Sequence, residues 1–329
     1  MKAIAINKHG SFSVLENFEV SKPAIGENDL LVNVHFSSVN PLDCRIRRDT
    51  ESPRGFPLIL GFDVCGTVVE IGSNVKEFSI GDLIAASPNV FKPGANAEYV
   101  QVDSRTAAKV PANVEGECAA VLPLVGITAW ESLYDRAKIQ KGQVLLIHAG
   151  AGGVGHLAIQ LAKDSGCEVI TTASRKESIE LCYELGADAV INYKKSNFVD
   201  EVLRITENKG CDAAFDFVGE DVLNKSLECV KMNGQVVTIT PSRVLKKGTS
   251  FLVKNLTIHY EFMGVATAFG IDIQSQGKKL QKLINMVSND WLKPYIGNRF
   301  SISQLSSAHK IQESGETIGK ILISNEEWL

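Results

Sequence analysis

Hydrophobic and polar positions change rhythm twice along the chain. Up to about residue 120 the apolar residues come in short runs, LLVNVHF (30–36), VCGTVVEIG (64–72), DLIAAS (82–87) and EYVQVD (98–103), punctuated by Gly, Pro, Asn and Ser. Runs of that length with turn formers between them predict a compact β-rich domain. The middle then alternates. Strand-like QVLLIH (143–148), EVITTAS (168–174), AVINY (189–193), DAAFDFV (212–218) and QVVTIT (235–240) are separated by VGHLAIQLAKDSG, ESIELCYELGA, FVDEVLRITENKG and DVLNKSLECVKMNG. Apolar residues in the separating segments recur at three- and four-residue spacing, which predicts helices. Strand–helix repetition of this length predicts right-handed βαβ units and a parallel sheet. From about residue 266 the character is mixed again, ending in a strand-like KILIS (320–324).

The most informative stretch lies between the first strand and helix of the alternating region. Gly150-x-Gly152-x-x-Gly155, with Gly153 and Val154 inside it, follows QVLLIH directly and opens HLAIQLAKDSG. A tight structural turn is the bland alternative, but this strand–motif–helix context is that of a dinucleotide cradle. Gly150 lets the chain leave the strand sharply, and Gly152 lets the backbone approach a pyrophosphate. Gly155 lets the helix pack close, and the helix start offers amide donors to the phosphates. The next strand ends Thr172-Ala173-Ser174-Arg175-Lys176. NAD sites place Asp or Glu at the position held by Ala173, to bond the ribose 2′-OH. Arg175 instead suits a 2′-phosphate, and one charge-assisted hydrogen bond of roughly 1.5–3 kcal/mol corresponds to about a ten- to hundredfold preference for NADPH. Lys176 reads as a solvated charge.

Composition narrows the partners. A 329-residue chain with 44% hydrophobic residues can bury a large core and form two domains. Its net charge of −4, without a basic arm, argues against nucleic acid or an anionic membrane as main partner. MKAIAINKHGSF lacks a secretory h-region, and no apolar run reaches the roughly 18 residues that span a bilayer. The seven cysteines are widely spaced with no C-x-x-C pair, so neither a disulfide framework nor a four-cysteine zinc lobe is expected. A cytoplasmic location is the expectation.

Several further motifs fall in one order along the chain: MKAIAI, Asn40-Pro41-x-Asp43, Gly61-x-Asp63-x-x-Gly66, Gly81-Asp82, AGAGGVG, LGAD (185–188), INY (191–193), FDFVG (215–219) and GKILI (319–323). Together they resemble the medium-chain dehydrogenase/reductase superfamily over essentially the whole chain. Within it the chain is most similar to zinc-independent quinone oxidoreductases and alkenal (enone) reductases. The resemblance implies an α/β fold, with a Rossmann doubly wound sheet at 124–265 and a GroES-like β-rich catalytic domain at 1–123 plus 266–329. It also implies NADPH as cofactor and a homodimer paired through the Rossmann sheet edge, for which NLTIHYEF (255–262) is the candidate.

Departures from the zinc alcohol dehydrogenases point to the chemistry. Asn40 stands where their first Cys ligand would be, Gly61-Phe62-Asp63 replaces Gly-His-Glu, and Leu124 falls near the third ligand position. Zinc takes thiolate, imidazole or carboxylate ligands, so no metal is expected. Without zinc, a conjugated acceptor, a quinone or α,β-unsaturated carbonyl, asks least of the protein. The expected mechanism is hydride addition, with the Asn40 amide, backbone amides or an ordered water stabilising the oxyanion and water delivering the proton.

The resemblance assigns further positions. Asn40, Phe62 and Asp43 are the catalytic candidates, expected in a cleft facing the nicotinamide. Thr128, Ser174, Arg175, Tyr193, Val218, Gly219, Thr240, Phe262, Met263 and Lys320 are the cofactor candidates. Asp43 precedes Cys44-Arg45-Ile46-Arg47-Arg48, so a salt bridge ordering this loop is the role expected of it ahead of proton donation, which would need a strongly raised pKa. Arg45 and Arg47 either line the cleft or are solvated, and polar 45–57 reads as a substrate-side flap. Two rivals remain: an enoyl-thioester reductase of the same superfamily, and a non-catalytic NADPH-binding redox sensor.

Overall fold

A computed structural model describes residues 1–49, 55–241 and 250–328. The chain divides into two compact units, Met1–Ile127 with Gly264–Leu329, and Thr128–Met263. The first boundary lies inside the helix Pro123–Trp130. Part of the expected flap, residues 50–54, lies outside the described residues. No described helix is long and apolar enough to cross a membrane, and all seven cysteines are free.

The unit Thr128–Met263 is built on a six-stranded parallel sheet. In spatial order its strands are Ala189–Asn192, Glu168–Ala173, Val144–Ile147, Cys211–Asp216, Val230–Thr238 and Thr257–Tyr260. The order runs outward in both directions from Val144–Ile147, the first strand of this sheet in the chain. This is the doubly wound Rossmann arrangement, whose ligand crevice opens where the order reverses, at the carboxyl ends of the strands. Near-continuous apolar strands fit a sheet covered on both faces. One face packs Leu146, Ile170, Ala214 and Val236 against Val199, Val202, Leu223 and Leu227 of the helices.

One expectation is corrected here. KMNG (231–234), read as a helix end, belongs to the strand Val230–Thr238. Val230 pairs with Cys211 before an irregularity lets Gln235 pair with Ala213, and Asn233 takes a positive φ of 58°. KMNG is thus a bulge between two paired stretches, with Asn233 N donating to Lys254 O at 2.8 Å.

The other unit is largely antiparallel. The long strand Asp29–Val39 pairs with Val64–Ile71, with Tyr99–Asp103 and with Lys320–Ser324. Alternate residues Leu30, Val32 and Val34 face a core shared with Val64, Val68, Ile84, Val100 and Val102. The register Ile321↔Val39 puts Lys320 beside the start of the helix Pro41–Arg48.

Candidate active site

The carboxyl ends of the parallel strands carry most of the cofactor candidates. After Val144–Ile147, Ala149 adopts a left-handed φ of 53°. Gly150 N donates to Thr172 O at 3.1 Å and Gly152 N to Ala149 O at 2.8 Å. Val154 then caps the helix Gly155–Asp164. A Cβ on Gly150 would stand 2.1 Å from Thr171 Oγ1, and one on Gly155 2.2 Å from Ala149 O. These two glycines therefore close the turn onto the sheet. A Cβ on Gly152 would meet only Ala149, at 3.1 Å from its carbonyl oxygen, and would otherwise point into open space. The backbone there is open to approach by a ligand. His148, just before the turn, is buried between the hydroxyls of Thr172 and Ser226. Burial pushes its pKa down to about 3, so it is neutral and structural.

Ser174 and Arg175 follow the second strand, and Arg175 caps the helix Lys176–Glu184. Ser174 Oγ lies 3.2 Å from Tyr193 Oη, across the ends of two adjacent strands, and Tyr193 is half exposed. Lys176 is exposed, as expected. After the strand Cys211–Asp216, Val218 and Gly219 are held by one buried carboxylate. Asp216 Oδ1 accepts from Val218 N at 3.0 Å and Gly219 N at 2.7 Å, while Oδ2 accepts from Thr238 Oγ1 at 3.0 Å. Asp216 stands within FDFVG without a role in the sequence reading; a carboxylate inside an apolar strand is the signal that points to it. Thr240 Oγ1 lies 3.1 Å from Thr238 Oγ1. Phe262 is exposed and Met263 buried just beyond the edge strand Thr257–Tyr260. Thr128 is buried in the first turns of the unit.

Asn40, Asp43 and Lys320 come together in the other unit, in a buried polar cluster with Asp63 and Ser38. Asn40 caps the helix Pro41–Arg48, where Pro41 fits the first helical position. Asp43 Oδ2 accepts from Asn40 N at 2.8 Å, and its Oδ1 from Gly61 N at 2.8 Å. The salt bridge expected of Asp43 is not among the described ion pairs: backbone amides hold this carboxylate, because it points into the core rather than toward the arginines. Burial, opposed by those two hydrogen bonds and reinforced by repulsion from Asp63, raises its pKa to about 6. Arg47 is corrected too. Its side chain is fully buried and pairs with Glu313 at 2.6 Å, so it is neither solvated nor a cleft residue.

Asp63 is the hub. Its Oδ2 accepts from Ser38 Oγ at 2.5 Å, Asn40 Nδ2 at 2.8 Å and Lys320 Nζ at 3.2 Å, and its Oδ1 from Leu124 N at 2.7 Å. Lys320 Nζ also donates to Asn40 Oδ1 at 2.5 Å and Val39 O at 3.4 Å. Lys320, assigned from sequence to the cofactor, thus has its ammonium inside this cluster. Phe62 is buried among Ile6, Leu58, Leu60 and Val90.

Comparison with known proteins agrees with both halves. The alcohol dehydrogenase GroES-like domain family matches residues 26–112, and the zinc-binding dehydrogenase family residues 153–286. A zinc-type alcohol dehydrogenase-like protein of Staphylococcus aureus is 36% identical over 93% of this chain and 94% of its own. The chain belongs to the medium-chain dehydrogenase/reductase superfamily. It is an oxidoreductase of that superfamily, with the Rossmann and GroES-like parts described above. A 2-methylene-furan-3-one reductase of Solanum lycopersicum is 33% identical over 98% of this chain and 79% of its own. The Escherichia coli quinone oxidoreductase complexed with NADPH superposes with a TM-score of 0.88 at 26% identity, covering 98% of this chain and 100% of the other.

The zinc in the superfamily's descriptions does not fit this donor set. Phe62 and Leu124 carry no donor atom, and Asp63 is already occupied by four protein donors, one of them a cation. Among the described residues no group of three His, Cys, Asp or Glu side chains could hold a metal ion.

Proposed function

We propose that the chain is an NADPH-dependent oxidoreductase that passes hydride to a quinone or an α,β-unsaturated carbonyl compound without zinc. The observation that supports this reading is the Lys320 ammonium bonded to Asn40 Oδ1 and Asp63 Oδ2, so that a protein cation already engages two of the polar side chains expected near a metal position. A conjugated acceptor, which delocalises the incoming electron pair, fits a site of this kind. The tomato relative, named for a methylene ketone, and the quinone oxidoreductase complexed with NADPH support the same class.

When bound, NADPH supplies the hydride. The amides at the start of Gly155–Asp164 receive its pyrophosphate over the open side of Gly152, and Arg175 with Ser174 and Tyr193 recognises its 2′-phosphate. Val218, Gly219, Thr240, Phe262, Met263 and Thr128 hold the nicotinamide half.

Asn40 stabilises the developing oxyanion. Lysine has only donors and a carboxylate only acceptors, so Lys320 fixes Oδ1 and Asp63 fixes Nδ2. One Nδ2 hydrogen goes to Asp63. The second has no partner among the described residues and is the spare donor for an acceptor oxygen. In a buried setting such a donor is worth far more than in water. Water returns the proton. The assembly we propose is a homodimer paired through the edge strand Thr257–Tyr260.

NADPH and NADH oxidation with a small quinone and a short enone, after chelation, tests the assignment. Chelator-resistant turnover that prefers NADPH is expected. NADPH binding without turnover of either acceptor, or turnover lost on chelation and restored by zinc, overturns it.

A further inference from the structure

The unit that contains Asn40 also carries a concavity of about 680 Å³ that no step above uses. One wall is a stripe of the helix Ile273–Ser288, where Gln274, Gly277, Lys278 and Gln281 recur at helical spacing. The others are the turn 74–78 and the segment 104–109. These walls are pinned together. Gln281 Oε1 accepts from Lys109 N at 2.9 Å and its Nε2 donates to Lys109 O at 3.1 Å. Gly277 packs so closely that a Cβ would stand 2.4 Å from Arg105 O. Asn74 N donates to Glu27 O at 2.8 Å, which fixes the turn.

Four cations line this space, Lys76, Arg105, Lys109 and Lys278, against one lining carboxylate, Glu77, in a chain of net charge −4. Two of them are held rigid. Arg105 forks onto Asp103 through Nε at 2.8 Å and Nη2 at 2.6 Å, and Lys109 Nζ sits 2.8 Å from Asp82 Oδ2 and 5.6 Å from the centroid of the Phe78 ring. The other two, Lys76 and Lys278, have no ion-pair or hydrogen-bond partner among the described residues. Counting Asp82, Asp103 and Glu77 against the four cations leaves the concavity positive, and the uncompensated charge is on the two free ammoniums. Scattered solvated lysines would lie on a convex surface; here both line one walled space with amide side chains beside them. Its volume lies within the roughly 300–1,000 Å³ of small-molecule sites, larger than one bare anion needs.

We propose that this concavity binds a phosphorylated small molecule, with Lys76 and Lys278 on the phosphate and the remaining walls around its body. Ammonium groups without a carboxylate partner suit a multiply charged oxyanion. The site belongs to a different unit from the glycine turn, so it does not depend on the cofactor assignment.

Calorimetric titration of NADPH-treated full-length protein with pyrophosphate and with ribose 5-phosphate tests it. Saturable binding of ribose 5-phosphate is expected, weakened about tenfold or more in the Lys76→Gln/Lys278→Gln double variant and unchanged in Arg175→Ala. A Lys8→Gln/Lys225→Gln variant, with the same change in charge at exposed positions, should bind like the parent. Equal affinity in parent and Lys76→Gln/Lys278→Gln, loss in Arg175→Ala, or no saturable binding of either probe at about 1 mM overturns the proposal.

Discussion

Lys320 Nζ and Asn40 Oδ1 lie 2.5 Å apart although 280 residues separate them in the chain. The contact orients the Asn40 amide, while the same ammonium, 3.2 Å from Asp63 Oδ2, neutralises that buried carboxylate. Replacing Lys320 with Met leaves that carboxylate buried without its cation, a change that costs about 3–5 kcal/mol. Urea unfolding of Lys320→Met should register a loss of that size. Acceptor turnover should fall while the KM for NADPH stays within about threefold. A large rise in that KM with stability intact would return Lys320 to the cofactor.

Removing the proposed oxyanion donor should act on the chemical step. Asn40→Ala is expected to lower kcat by about 10²–10³. Steady-state kinetics with one quinone checks this, and a kcat within about twofold of the parent would remove Asn40 from catalysis.

Asp43 makes stability depend on pH. Its pKa is raised from 3.8 to about 6 in the folded protein, so the folded state binds the proton more tightly than the unfolded state. Stability is therefore lost as pH rises through this window. The group should take away about 2 kcal/mol between pH 4.5 and pH 7. Urea unfolding at the two pH values, compared with Asp43→Asn, isolates the effect. The parent should lose that much relative to the variant, and parallel behaviour would place the carboxylate at its ordinary pKa.

Arg175→Ala should erase cofactor preference without harming catalysis. The expected result is a fall of about ten- to hundredfold in kcat/KM for NADPH and little change for NADH. Equal losses with both cofactors would show that Arg175 supports the fold or the adenosine rather than the 2′-phosphate.

The two outer roles of the glycine turn should separate by substitution. Gly150→Ala drives a methyl group to 2.1 Å from Thr171 Oγ1 and 2.9 Å from Cys182 Sγ, so stability should fall by about 1–3 kcal/mol. Gly152→Ala meets only its own turn and should melt close to the parent, yet bind NADPH at least about tenfold more weakly. Thermal melts and a fluorescence titration distinguish them; equal melting of both variants would contradict the packing argument.

What the sequence made legible was local. Apolar strands of the alternating region and the glycine turn announce themselves within a few residues, and a parallel sheet brings Gly150, Ser174, Tyr193, Gly219 and Thr240 to the same strand ends. Asp63 and Lys320 were harder. The contact between them spans 257 residues and depends on the register of Lys320–Ser324 against Asp29–Val39, which no periodicity encodes. The same holds for Asp43. Its charged neighbours in the chain suggested arginine partners, whereas the turn of the helix Pro41–Arg48 aims it at Gly61 N. Local spacing also misread KMNG, a bulge fixed by the positive φ of Asn233 and its bond to the distant Lys254 O.

The order of synthesis gives the split unit one more property. Thr128–Met263 is contiguous, so its sheet can close while the ribosome is still adding the rest. The unit holding Asn40 cannot finish so early, because the strand carrying Lys320 follows that sheet in the chain. Until it does, Asp63 lacks its cation. A ribosome stalled before residue 320 therefore carries a finished nucleotide-type sheet beside an incomplete antiparallel one, which makes the strand Lys320–Ser324 the keystone of that unit.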